Sequence, residues 1–312
     1  MIGSLVRRPI HSPGAEVSES PRPLDQAFWV DLLGMDSEYD YDPLWRKCME
    51  LRVPMNFHAP SQGVGLRRSP SNYMFNQTGH FADSGHAYAK ALFFGGVTHR
   101  FPELPLAFLE CGAAWGAQLI LDLKERWEKR NAEAIRTLDP RRVNFPEMVR
   151  LFDRYGGPLL AGKMTGTGEA GRAEQPDVDE FAATGIRNLD DLYDRLLPNY
   201  YFGCEADDRL AGTAFDSRYT PPGRKLKAMF SSDIGHWDVA DMDRVVPEAF
   251  EMVEDGVMSE EDFRDFIFAN PVRLLTSLNP DFFEGTALEA EVKAFLRSGD
   301  AAATESRRAV RS

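Results

Sequence analysis

Cysteine, positive charge and long apolar runs are all scarce in this sequence, and each shortage excludes something. Three cysteines, Cys48, Cys111 and Cys204, lie far apart and are odd in number. They cannot build a disulfide framework and fit free thiols in a reducing compartment, so a cytoplasmic location is expected. No apolar stretch approaches the ~20 residues of a membrane span. The opening MIGSLVRRPI carries two arginines, but HSPGAEVSESPRP follows it in place of the apolar region a secretory signal needs. Lysine and arginine number 36 against 49 aspartates and glutamates, a net charge of −13 that argues against nucleic acid or an anionic membrane as partner. No glycine-rich phosphate turn follows any expected strand. What remains, 43% hydrophobic and 27% charged over 312 residues, is a globular composition long enough for a large core.

The chain alternates strand and helix patterns. The first ten residues read as a short strand entering a proline-rich loop that lasts to about residue 40. Asp42 and Pro43 then open a helix whose Leu44, Cys48 and Leu51 recur at helical spacing. VPMNFH reads as a buried strand ending at His58, and a helix is expected from about Thr78. LPLAFLE, almost wholly apolar, reads as a strand buried on both faces and ends at Glu110. A helix from about Ala114 to Ile135 follows. Residues 136–198 look like an insertion, with the glycine-rich GGPLLAGKMTGTGEAGRAEQPD at its centre and the short amphipathic helix NLDDLYDRLL near its end. From its position the insertion is expected to cover the site. NYYFGCE ends at Glu205 and LKAMFSSD at Asp233. DMDRVVPEAFEMVEDG and SEEDFRDFIFANPVRLL are helical, the second capped by Ser259. The tail after about Ser298 is expected to be disordered.

Alternating strands and helices imply parallel pairing. Four expected strands end in His58, Glu110, Glu205 and Asp233. Such convergence is how a (β/α)8 barrel builds its reactive face, so a barrel is favoured over a doubly wound sheet. An imidazole and carboxylates at one rim suit a divalent metal, zinc first or manganese, that would acidify a bound water. Each residue also has a plainer role. His58 would serve equally as a hydrogen-bonded core histidine, Glu110 as the partner of Arg7 or Arg8, and Glu205 as a loop acid. His236 and Trp237 follow Asp233 closely enough to line the pocket. His80 and His86 fit surface or cap positions on a helix, His80 also a place facing the barrel mouth, and Trp115 fits the core.

VPMNFHAP, FFGGVTHRFPELPLAFLECGAAW, MFSSDIGHWD and FIFANPVRLL together resemble the amidohydrolase-related branch of the amidohydrolase superfamily, which includes the aminocarboxymuconate-semialdehyde decarboxylase-like enzymes. The likeness spans residue 1 to about Phe283. It implies a metal-dependent (β/α)8 barrel domain over 1–283, with 284–312 as a C-terminal helix and tail. It implies His58 as a metal ligand and Asp233 as a ligand that also handles the proton. Glu110 falls where many members carry histidine and others glutamate, and would position substrate or water. Arg8, Glu205 and His236 would bind substrate. The implied activity is hydrolysis of a small organic substrate by metal-activated water, or non-oxidative decarboxylation at the same metal, with Arg7 or Arg8 anchoring the carboxylate.

The family's first strand carries a His-x-His pair, and this sequence has none. MIGSLVRRPI aligns with the family's fourth strand. The expectation is therefore an incomplete barrel of five core strands (IGSLV, VPMNFH, LPLAFLE, NYYFGCE and LKAMFSSD), as a truncated gene product or mis-called start would give. Weak metal binding or none by the lone chain, and self-association through open sheet edges, or an inert fold, follow from that expectation.

Overall fold

The computed structural model describes residues 6–10, 28–58, 68–139, 142–160, 162–163 and 179–309. Its centre is a four-stranded parallel sheet ordered β3 (Met55–Phe57), β4 (Leu106–Phe108), β5 (Tyr200–Cys204), β6 (Lys227–Phe230). Neighbours in space are neighbours in sequence, so the strand order never reverses and no doubly wound switch point exists among these strands. The parallel α/β class expected from the alternation is present, as an open sheet among the described residues.

One expected core strand is placed elsewhere. β1 (Val6–Pro9) pairs antiparallel with β2 (Phe28–Asp31) in a separate two-stranded ribbon, Arg8 opposite Trp29. The partner lay within the segment read as a loop, yet FWVD is aromatic and β-branched, the composition strands favour. Asp31, fully buried, accepts bonds from the backbone N–H of Leu33, Ser37 Oγ, Tyr41 Oη and Arg8 Nε. These bonds hold the ribbon to the start of α1 (Asp42–Leu51).

The helices between strands pack on one sheet face. α2 (Tyr73–Gln77), α3 (His80–Phe94) and α4 (Val97–Arg100) lead from β3 to β4, and α5 (Ala114–Arg130) leaves β4. Phe57, Phe108 and Phe202 alternate onto this face, where Phe108 and Phe202 meet Trp115 edge-on at ring-centroid distances of 5.3 and 5.0 Å. Gly116 permits the approach, since a Cβ there would lie 2.4 Å from the Phe202 ring. Six buried residues of α5, from Trp115 to Leu123, seal the layer.

The described flank of the 136–198 insertion comprises α6 (Phe145–Tyr155), α7 (Gly157–Leu160) and α8 (Leu189–Leu196). Phe181 packs on Phe94 and Trp127, at the C-terminal ends of α3 and α5. Both helices run back along the sheet, so Phe181 sits at the strands' N-terminal edge. Residues 164–178, at the centre of the insertion expected to cover the site, lie outside the described residues.

After β6 come α9 (Val245–Glu254), α10 (Glu260–Arg264), a π-helical turn at Asp265–Ala269 and α11 (Asn270–Thr276). Ser259 caps α10 through a reciprocal box with Asp262, as expected. Pro271 lacks an N–H, and a widened turn just before it absorbs the missing helical bond. Buried Asn270 donates from Nδ2 to the Ala228 carbonyl of β6 at 2.8 Å. α12 (Glu289–Ala309) continues well past Ser298, where disorder was expected. Its last turns, AAATESRRA, are rich in good helix formers.

Candidate functional site

The four parallel strands end on one rim because their register is tight and bonding continues beyond the strands. Phe57 pairs with Phe108 and Phe108 with Phe202, while Cys204 pairs with Phe230. Past the strands, the Leu109 N–H donates to the Phe57 carbonyl at 2.9 Å and the Ser231 N–H to the Cys204 carbonyl at 2.8 Å. Gly203 lets the rim close, since a Cβ there would come 3.0 Å from Leu109 Cα and 3.2 Å from the Glu110 backbone nitrogen. His58, Glu110, Glu205 and Asp233 are thereby carried to the same end of the sheet.

Two of them occupy left-handed backbone. Glu110 has φ 58° and Asp233 φ 46°. Such a conformation is uncommon for a residue with a Cβ and is concentrated where structure over-determines a functional side chain.

The rim divides into two linked groups. In the first, His58 Nε2 and Glu110 Oε2 are 2.5 Å apart, with the imidazole tilted on Phe81. In the second, His236 Nδ1 bonds Asp238 and lies 3.4 Å from Asp233 Oδ2. The donor atoms of Asp233, His236 and Asp238 all fall within 4.8 Å of one another. His58, expected as the ligand beside Asp233, is bonded to Glu110 instead and stands outside that group. No hydrogen bond or ion pair among the described residues joins His58 to Asp233.

Glu205 lies between the groups at the end of β5. Its proton affinity is pushed up to about 7 by burial and by the negative charges of Glu110, Asp207, Asp233 and Asp238. His236 is raised above its ordinary value, first by its bond to Asp238 and also by the charges of Asp233 and Glu110. A cleft of about 660 Å³ opens here, lined by Glu110, Cys111, Trp115, Glu205, Asp208 and Asp238 among others, with Phe81 and Asp83 of α3 also in its wall. Burial pushes the Cys111 thiol up to about 12, so it stays protonated at neutral pH.

Arg8, expected to bind substrate, is engaged by Asp31 at 3.2 Å and by Tyr41 Oη at 2.6 Å, with its guanidinium over the Tyr39 ring. Arg7 lies over Phe28. Neither is the partner of Glu110. His80, read as a surface or cap residue, is buried at the start of α3. Trp115 is in the core as expected. Asp238 and Asp208 were not singled out from the sequence. For Asp238 the signal was present as Asp-x-x-His-x-Asp over 233–238, where a turn at Gly235 (φ 101°) folds the three side chains together. For Asp208, the cap of the 3₁₀ turn Arg209–Ala214, no sequence pattern pointed to the cleft.

No protein-family model matches the chain, and no curated protein matches it.

Proposed function

We propose that this chain is a metal-dependent hydrolase of the amidohydrolase type that acts on a small organic substrate in the rim cleft. The observation that carries the reading is the convergence of Asp233, His236 and Asp238 donor atoms within 4.8 Å at the C-terminal end of a parallel sheet. One imidazole and two carboxylates make a nitrogen–oxygen donor set suited to zinc or manganese. Three protein ligands are also the usual number for catalytic zinc, which keeps a fourth position open. The residues fit such an ion, which would supply Lewis acidity and lower the pKa of a coordinated water.

The remaining steps belong to side chains. Glu205, whose carboxylate has no hydrogen-bond partner among the described residues and a pKa of about 7, accepts and returns a proton near neutral pH. Glu110, held by His58, orients the substrate or attacking water at the cleft wall. Decarboxylation is less well supported. It needs a cation for the substrate carboxylate, and no lysine or arginine is among the described residues lining the cleft.

The test is metal analysis of the dialysed full chain, followed by assays of ester and amide cleavage and of carbon dioxide release, with and without chelator. Near-stoichiometric zinc or manganese with chelator-sensitive cleavage is expected. Absence of a retained ion, or carbon dioxide release without cleavage, would overturn the reading.

A further inference from the structure

We propose that the substrate of this cleft is a cationic amide or ester, with an ammonium or amidinium group set beside its scissile carbonyl. This inference rests on the cleft being the active site and adds the charge of what enters it. Five carboxylates line the cleft (Asp83, Glu110, Glu205, Asp208 and Asp238), and no lysine or arginine does among the described residues. The two imidazoles at the rim offset only the carboxylates they bond, His58 on Glu110 and His236 on Asp238, and Glu205 and Asp208 have no histidine, lysine or arginine partner among the described residues. The Glu205 carboxylate has no hydrogen-bond or ion-pair partner among the described residues.

A divalent ion at Asp233, His236 and Asp238 would leave Glu205 and Asp208 as lining carboxylates without a basic partner among the described residues. An anionic substrate would have to enter against that field, whereas a cation would relieve it. The walls add selectivity of another kind. Phe81 offers an aromatic face to a cation. Trp115, 7% exposed and also a lining residue, keeps a buried Nε1–H with no partner among the described residues. An indole N–H can only donate, so the group it would satisfy is an acceptor such as a carbonyl oxygen. A ligand with positive charge and a carbonyl answers both features.

The test is isothermal titration of the full chain, as purified and again with added zinc, using three near-isosteric probes: para-aminomethylbenzamide (cation), para-ethylbenzamide (neutral) and para-carbamoylbenzoate (anion). The cation is expected to bind roughly tenfold more tightly than the neutral amide, with affinity falling as salt rises and no saturable binding of the anion. Glu205→Gln and, independently, Asp208→Asn should each weaken the cation several-fold while leaving the neutral probe unchanged. Glu128→Gln is the control for unspecific attraction to an acidic chain, because its site on α5 lies well over two turns from the cleft. Equal or tighter binding of the anion, indifference to charge, no saturable binding of any probe, or equal loss in the control would each overturn the proposal. Metal content and cleavage are read separately. Retained metal with preference for the anion defeats this inference alone, and cation selectivity without metal defeats the hydrolase reading alone.

Discussion

His58 Nε2 lies 2.5 Å from Glu110 Oε2, tying the ends of β3 and β4 together through a side-chain bond outside the sheet ladder. Glu110 holds its half of the bond from left-handed backbone, with φ 58°. Removing the carboxylate with and without a Cβ separates the two effects. Glu110→Ala and Glu110→Gly both lose the bond, but only alanine keeps the unfavourable φ. Glycine at this position is expected to leave the protein about 1 kcal/mol more stable than alanine does, by urea unfolding.

The donor group also makes a prediction that separates two histidines. His236→Ala removes one of three clustered donors, whereas His58→Ala removes a partner of Glu110. Zinc affinity by competition with a chromophoric chelator should fall more than about tenfold in His236→Ala and change little in His58→Ala. The reverse ranking would return the metal to His58.

Glu205 gives a pH dependence with a definite sign. Its folded pKa is raised from 4.5 to about 7, first by burial and then by neighbouring carboxylates. Between these values the folded state binds more protons than the unfolded chain. Stability therefore falls as pH rises through that window, and the full penalty is present above it. With chelator present, Glu205→Gln should be more stable than the parent at pH 8, by about 1–2 kcal/mol after allowance for solvent screening, and indistinguishable near pH 4. Thermal unfolding at the two pH values is the measurement.

Gly203 is a structural test of the rim. A Cβ on β5 would press on Leu109 Cα at 3.0 Å and on Ser231 Oγ at 3.2 Å. Gly203→Ala is expected to cost about 1–3 kcal/mol through overpacking. Because the same contacts carry Glu110, the variant should also shift the His58 ring resonances, which a purely global loss of stability would not do.

Strand and helix positions in the centre of the chain were legible because β3 to β6 are short apolar runs separated by long periodic segments. That β3 and β5 stop just before His58 and Glu205 could be read for the same reason, since an apolar run that stops at a charged residue marks the edge of a buried layer. By contrast, β4 and β6 end at Phe108 and Phe230, two and three residues short of the expected Glu110 and Asp233. The ribbon was not legible. β2 is a short piece of FWVD among prolines, and its pairing with Val6–Pro9 depends on Asp31 collecting bonds from residues on both sides. Which rim residues bond to which was equally hidden. His58 and Asp233 share an edge, but their bonds are decided by backbone turns at Glu110, Asp233 and Gly235, and positive φ at glutamate or aspartate leaves no mark in composition. The buried position of His80 depends on how α3 rotates against the sheet, which spacing alone does not set.

Asp233, His236 and Asp238 all come from the single turn that follows β6. A donor set assembled from several strands is only as good as the curvature that brings those strands together. One gathered on a lone hairpin-sized segment travels intact with that segment, whatever becomes of the remoter parts of the architecture. Grafting 231–239 onto an unrelated parallel sheet would carry the three clustered donor atoms along with it.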